Sequence, residues 1–382
     1  MARKDDEEKD RAKVPHGKDL AALSDNINKL FKSNISTTAG TIEEPGTGGT
    51  IHKYPTGILS LDKYLGTGGL LGGRIMNIWG WEGTGKTLTA LTVGAHIQKL
   101  KFEPDNLNLT GEGRVAFLDA EGTYSPSMAR SVGLDPDKVL LFRSTPEKLL
   151  SGEDYFNIIG ILIQNGIEMI IVDSCPALIP SSRLTAVIGQ GQKATQAQMM
   201  AEGLAQVNAF LNSFRRPIVW FVNQVRMKPM VMFGPTEDHT GGAALKFYAS
   251  YSLEVKKYDS EDIVKNVPNK SGNGFEMRTI GVRIKATLHK NKTATIPQKF
   301  IEYDVYFETI MDKDGVQYTA GVDVYKDIFQ TALMCGVIKQ ASSWYSYGDV
   351  KGNGEDQFIE ALRAADISVL DSIRNEVLTG AQ

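Results

Sequence analysis

Apolar and polar positions change rhythm near residue 50. Before that point, DLAALSDNINKLFK sets Leu20, Leu23, Ile27, Leu30 and Phe31 at helical spacing, which predicts one amphipathic helix. Nothing local can bury its stripe, so it either folds back on its own domain or docks on a neighbouring subunit. The stretch to about Gly49 is rich in Ser, Thr and Gly, with a short strand expected at SNISTTAGTI. Beyond it, RIMNIWG, RVAFLDA, KVLLFRS, EMIIVDS and PIVWFVN are short apolar runs with little alternation. Helix-length segments over 86–100, 146–165 and 193–214 lie among them. This pattern predicts an α/β fold whose mostly parallel central sheet is covered on both faces. MRTIGVRIKATLHKNK and KFIEYDVYFET read as antiparallel additions at the sheet edge. From about 312 a smaller α-rich region follows, with FIEALRAADISVLDSIRNEVL as its best helical stretch. The expected divisions are a disordered tail over 1–18, a helix and strand over 19–46, a core over 47–311 and a small C-terminal domain over 312–382.

Composition narrows the picture only a little. The 382 residues are 42% hydrophobic and 23% charged, as in an ordinary soluble protein. Net charge is −3, so any affinity for nucleic acid must sit in a local patch. Two cysteines, Cys175 and Cys335, are too few for a disulfide framework and fit a reducing, cytoplasmic setting. Cys175 follows an aspartate at a strand end and reads as a packed thiol rather than a reactive one. No run approaches ~18 consecutive apolar residues, so no membrane span is expected. The opening MARKDDEEKDRAK has no apolar run and is not a signal peptide.

The chemistry is expected at the carboxyl ends of the parallel strands, where ligands bind in such sheets. GWEGTGKT (Gly80, Trp81, Glu82, Gly83, Thr84, Gly85, Lys86, Thr87) fits G-x-x-x-x-G-K-[ST] in full. It follows a strand and opens a helix, the context of a phosphate loop. The glycines let backbone N–H groups turn around phosphate oxygens, and the helix N-terminus adds positive potential. Lys86 would reach the β- and γ-phosphates, and Thr87 would place its hydroxyl on Mg²⁺. In MIIVDSCPAL, four apolar residues end on Asp173, the acid such NTPases place beside the metal; Ser174 could be a turn residue only. RVAFLDAEGTY ends on Asp119 and Glu121, two residues apart and on one face of an extended chain. Glu121 is the better placed to polarise a water, or else caps the next helix. VNQ brings Gln224 to a strand end, as a sensor of the terminal phosphate or as a satisfied amide.

Straight after Gln224 comes an odd loop. Arg226, Lys228 and Lys246 offer cations, and Met227, Pro229, Met230, Met232 and Phe233 offer flat or soft apolar faces. Such side chains stack on bases without sequence preference, at about 1–3 kcal/mol each. Backbone N–H groups at Gly241 and Gly242, beside Thr240, could hold a phosphate. A second loop over 188–195 carries Lys193. On composition alone these loops could equally be core filler and a solvated face.

Taken together these motifs resemble the bacterial RecA recombinase family. NQVRMKPMVMFGPTEDHTGGAALKFYAS resembles that family's second DNA-binding loop nearly residue for residue. LSLDKYLGTGGLLGGRI, LDAEG, IIVDS, HKNK and WYSY resemble it as well. The likeness is clear over about 50–310 and weaker at 19–46 and in the C-terminal part. It implies a RecA-type P-loop NTPase core, with an N-terminal helix and strand that pack on the adjacent protomer. The implied activity is DNA-dependent ATP hydrolysis with Mg²⁺. It would serve homologous pairing and strand exchange by a helical filament on single-stranded DNA, with homologous duplex as the second partner. Lys86, Thr87, Glu121, Asp173 and Gln224 match the family's nucleotide roles. Lys290 and Lys292 in HKNK match lysines that reach across the subunit interface to the neighbour's ATP; by spacing alone they are exposed lysines at a strand end.

Departures from the family bear on single contacts. Ser125 and Met128 stand where an aspartate and a tyrosine usually lie near the adenine, with Tyr124 as a substitute for stacking. Lys193 replaces a methionine, Gln198 an arginine, and Pro229 an isoleucine that inserts between bases. The usual acidic C-terminal tail has no counterpart in LTGAQ. Such drift suggests a divergent member, of phage or cellular origin. Two rivals remain at this point. One is a hexameric DNA helicase on the same core fold, disfavoured because HKNK stands where an arginine finger would. The other is a non-catalytic DNA-binding filament protein, disfavoured by the intact GKT and Glu121.

Overall fold

The structure is a computed structural model. It describes Lys29 and residues 52–102, 111–184, 195–214, 216–227, 237–239, 242–269, 273–296 and 298–380. The chain divides into two compact units, Met1–Thr50 and Ile51–Gln382; apart from Lys29, all described residues belong to the second. The expected N-terminal tail, amphipathic helix and short strand lie outside the described residues, Lys29 apart.

In chain order the elements begin with β1 (Lys53–Tyr54), α1 (Leu59–Leu65), β2 (Leu70–Leu71), β3 (Arg74–Gly80) and α2 (Lys86–Lys99). Then come β4 (Val115–Asp119), α3 (Pro126–Ser131), β5 (Val139–Phe142), α4 (Gly152–Gln164), β6 (Met169–Asp173), α5 (Ser181–Leu184) and α6 (Thr195–Phe214). Next are β7 (Ile218–Met227), β8 (Glu237–His239), α7 (Gly242–Tyr248), β9 (Tyr251–Pro268), β10 (Phe275–Asn291) and β11 (Ile301–Tyr306). Three short strands follow, β12 (Ile310–Met311), β13 (Gln317–Tyr318) and β14 (Gly321–Val322). The C-terminal part holds α8 (Val324–Met334), β15 (Lys339–Ala341), β16 (Trp344–Tyr347), β17 (Val350–Asn353), α9 (Glu355–Ala364) and α10 (Ile367–Thr379).

The main sheet runs β14-β11-β10-β9-β3-β7-β6-β4-β5. All steps from β9 to β5 are parallel, and β10, β11 and β14 add antiparallel strands at the other edge. Neighbouring residues in the central strands face opposite cores. Trp220 and Ile171 pack with α2 on one face, and Phe221 and Ile170 pack with α4 and α6 on the other. That double burial is why these strands show no polar alternation.

Several expectations need correction. KVLLFRS gives β5 at the open edge, where Leu140 and Leu141 are exposed, so this strand is not covered on both faces. The helix expected from 146 begins at Gly152, because Ser151 and Asp154 form a reciprocal capping box. YSLEVKKYDSEDIVKNVP carries many charges, yet it forms β9 by pairing along most of β10. FIEALRAADISVLDSIRNEVL breaks in two, since Asp366 accepts from Ser368 N at 2.9 Å and caps α10. The C-terminal part is not purely helical: β15, β16 and β17 form an antiparallel meander. Its cluster around Phe329, Phe358 and Ile373 also includes Leu59 of α1. Cys175 is fully buried and burial pushes its thiol up, as expected of a packed cysteine. Among the described residues no helix is long and apolar enough to cross a membrane.

Candidate functional site

Four parallel strands, β3, β7, β6 and β4, bring the predicted nucleotide residues to one rim. Gly80 ends β3 so close to β9 that an added Cβ would lie 2.1 Å from the Val255 carbonyl oxygen. Only glycine tolerates that approach. Gly85 takes φ +68° as the residue before α2, a conformation open to glycine and strained for other residues. The loop between them folds onto itself. Thr84 Oγ1 donates to the Trp81 carbonyl at 2.7 Å, and Lys86 Nζ donates to the same oxygen at 2.7 Å. Burial pulls Lys86 below the usual lysine value, against the pull of Asp173, Glu121 and Glu82.

Three acids, Asp119, Glu121 and Asp173, end β4 and β6 or follow them directly. Thr87 Oγ1 donates to Asp173 Oδ2 at 2.6 Å. Burial pushes Asp173 up to about 6, partly offset by the Thr87 hydrogen bond. The backbone amides of Ala120 and Glu121 both donate to the Asp173 carbonyl, at 2.9 and 3.1 Å, which locks the two strand tips side by side. Asp119 accepts from Thr123 N at 2.9 Å and Tyr124 N at 3.3 Å. Asp119 thus holds the turn before α3, whose N-cap residue is Ser125 and which has no side-chain cap, so Glu121 does not cap that helix. Glu121 is exposed and accepts from Ser174 Oγ at 2.8 Å. Ser174 thus touches the candidate base and is more than a turn residue, a role its sequence context did not single out.

Gln224 lies in β7 directly opposite Gly80, and its backbone N–H donates to Asn223 Oδ1 at 2.9 Å. The strand does not stop there. β7 runs on to Met227 and pairs with β8, Arg226 opposite Asp238 and Met227 opposite Glu237. The chain then returns to α7, which begins at Gly242. The strand beside the phosphate loop thus runs on as far as Met227, at the start of the basic segment. Lys246 is exposed on α7. Lys193, Lys228, Pro229, Met230, Met232, Phe233, Thr240 and Gly241 lie outside the described residues.

Lys290 and Lys292 come together at the end of β10. Lys290 Nζ donates to the carbonyls of Lys246 and Phe247 at 2.6 and 2.9 Å, and Lys292 Nζ donates to Phe247 O at 3.2 Å. Within one chain they cap the C-terminus of α7, where cations are favoured. Beside them His289 packs on Trp79, ring centroids 5.4 Å apart, and meets Glu254 at 3.0 Å. Tyr124 is not available for stacking on a base: it is buried against Phe117, ring centroids 4.9 Å apart. Phe307, which strand patterning did not mark, is 40% exposed just after β11. It lies two residues beyond Val305, whose side chain sits against Gly85.

The donor set fits a nucleoside triphosphate with a hard cation. Backbone N–H groups at a helix N-terminus and a lysine suit phosphate oxygens. One hydroxyl and one carboxylate suit Mg²⁺ that takes its remaining ligands from phosphates and water.

Comparison with known proteins places this geometry. The RecA N-terminal domain family matches residues 19–312. The chain is 35% identical over 329 residues to Protein RecA of Thermus aquaticus, across 86% of this chain and 85% of that one. It is 35% identical over 326 residues to Protein RecA of Thermus thermophilus, across 85% and 84% of the two chains. It is 32% identical over 349 residues to Protein RecA of a Nocardioides species, across 91% and 87%.

Proposed function

The chain belongs to the RecA family, and on that premise we infer that it is an ATP-dependent DNA recombinase acting in recombination and DNA repair. It binds ATP and Mg²⁺ on the phosphate loop and hydrolyses ATP when DNA is bound. Single-stranded DNA and a homologous duplex are its partners, and it polymerises head to tail. Contacts of that kind do not close on themselves, so they build a helical filament. The open edge at β5, with Leu140 and Leu141 exposed, is a suitable seat for the strand expected within 19–46 of a neighbouring copy.

The observation that carries this reading is the pairing of Gly80 with Gln224. The residue that opens the phosphate loop neighbours the strand that becomes the basic hairpin, so a change at one is felt at the other. Lys86 neutralises phosphate charge, and Thr87 and Asp173 would hold Mg²⁺. When bound, the cation neutralises charge on the phosphate oxygens. Glu121 accepts a proton from the attacking water. The water oxygen bonds to the γ-phosphorus, and the bond to the β,γ-bridging oxygen breaks to leave ADP. Phe307 offers the base a flat apolar face in place of Ser125 and Met128. Lys290 and Lys292 come from the neighbour and stabilise the transferring group, as an arginine finger does at roughly 10³–10⁵ in rate. Residues 188–199 and 226–242 hold DNA near the filament axis.

A joint-molecule assay tests the reading. The protein, ATP, Mg²⁺ and a single strand should convert a homologous duplex to joint molecules and leave a heterologous duplex alone. Equal products from both duplexes, or none from either with filaments present, would refute strand exchange.

A further inference from the structure

A second cavity lies at the other end of the phosphate-loop helix. It encloses about 340 Å³ between the last turn of α2, the end of α3, the segment after β13, and helices α9 and α10. Lys99, Arg130, Arg363 and Arg374 line it, against the single carboxylate of Asp323. The chain as a whole is net negative, so four cations from four helices on one cleft run against its average charge. None belongs to the nucleotide site: Lys86 begins α2 and Lys99 ends it, about 20 Å away at the helical rise.

The partners these cations already have only partly neutralise the cleft. Arg363 meets Asp323 at 3.2 Å and Glu360, which is not on the cleft wall, at 3.3 Å, and lies over the ring of Tyr325 at 4.8 Å. Arg374 donates to the Gly57 carbonyl at 2.8 Å, and its nearest carboxylate is Asp62 at 4.0 Å. Burial pushes Asp62 up to about 7, so near neutral pH that carboxyl is only partly charged. Lys99 is exposed, and Arg130 reaches Asp137 only at 3.9 Å with both side chains in solvent. His96, also on the wall, is pulled down to about 4 by burial and then by Arg374 and Lys99. A neutral imidazole held between cations marks a positive, partly desolvated space.

We propose that this cleft binds a small phosphate-bearing anion, of the class of inorganic phosphate or pyrophosphate, which ties the C-terminal helices to the far end of α2. The chemistry is that of charge-assisted hydrogen bonds from arginine and lysine to phosphate oxygens. The volume lies at the low end for small-molecule sites, which favours an anion of this size over a whole nucleotide. Bound there, it relieves the repulsion among the four cations and stabilises the fold in proportion to its occupancy.

The test uses the full chain with Lys86→Ala, so that the phosphate loop does not compete for the anion. Phosphate and pyrophosphate are titrated separately, and the His96 ring is followed by NMR alongside the thermal midpoint. His96→Gln identifies the signal among the five histidines. The expected result is a saturable His96 shift, protonation at higher pH with anion bound, and a rising midpoint. Lys99→Glu, alone and with Arg130→Glu, should weaken binding by about tenfold or more for the pair; both side chains are exposed, so the fold should survive. An unmoved His96 signal, or binding indifferent to both replacements, would overturn the proposal. So would binding of a short oligonucleotide with none of either free anion.

Discussion

Ser174 donates its hydroxyl to Glu121 across 2.8 Å and so joins the tip of β6 to the turn after β4. Asp119 holds that turn through Thr123 and Tyr124, so Glu121, the proposed base, is not needed there. Glu121→Gln should lower ATP turnover by about 10²–10⁴, the usual worth of a positioned base, with nucleotide binding kept within a few-fold. Ser174→Ala should lower kcat by about tenfold or less at unchanged KM, since one hydrogen bond to a charged group is at stake. Ser174→Thr should restore it. Equal kcat in wild type and Glu121→Gln would remove Glu121 from the chemistry.

Thr87 and Asp173, the two residues proposed to hold Mg²⁺, are paired at 2.6 Å. Thr87→Val keeps the shape and removes the hydroxyl. The Mg²⁺ concentration for half-maximal turnover should rise by about tenfold or more. Lys86→Ala should abolish turnover with the circular dichroism spectrum unchanged. An unaltered Mg²⁺ requirement in Thr87→Val would remove Thr87 from the metal site.

Much of this was legible beforehand, for a physical reason. Central strands buried on both faces read as unbroken apolar runs, and a glycine-rich turn before GKT has little else to be. What escaped depends on partners distant in sequence. β9 is held by β10 rather than by its own pattern. Phe307 becomes notable only because Val305 packs on Gly85. Ser174 matters only because β4 and β6 are neighbours. The break at Asp366 was readable as a capping aspartate, but helical spacing on both sides hid it.

The basic hairpin continues β7 past Gln224. Lys228→Ala with Phe233→Ala should reduce DNA-stimulated turnover while ATP binding without DNA persists. Losing one phosphate contact should also flatten the log–log salt dependence of single-strand binding by about 0.7. Normal stimulation by single strands in that double variant would place the DNA elsewhere.

Lys290 and Lys292 cap α7 within one chain, which alone is worth about 0.3–1 kcal/mol. Service at a neighbour's nucleotide predicts far more. Lys290→Ala with Lys292→Ala should cut DNA-stimulated turnover by about 10³ or more and move the thermal midpoint only slightly. Mixing this variant with Glu121→Gln should recover activity, because mixed interfaces then pair an intact base with intact lysines. No recovery on mixing, with filaments formed, would confine the lysines to their own chain.

Asp62 makes the stability of the core depend on pH. Its side chain is 1% exposed, and Oδ1 accepts from Thr56 N and Thr56 Oγ1 at 2.8 and 2.7 Å. Burial raises it from 3.8 to about 7, with Asp327 adding to the rise. The folded chain therefore holds this proton more tightly than the unfolded one. Below 3.8 both states are protonated and nothing is lost. As pH rises through the window to about 7, the unfolded state gives up its proton first and stability falls, with the full cost present above about 7. Asp327, raised to about 6 with Ser60 N donating to it at 3.1 Å, acts in the same direction. Asp62→Asn keeps an oxygen for both Thr56 donors and cannot ionise. Its stability relative to wild type should improve between about pH 5 and pH 8 by an amount of order a few kcal/mol, read from urea unfolding at each pH. A difference between the two proteins that stays constant across that range would show that Asp62 does not titrate there.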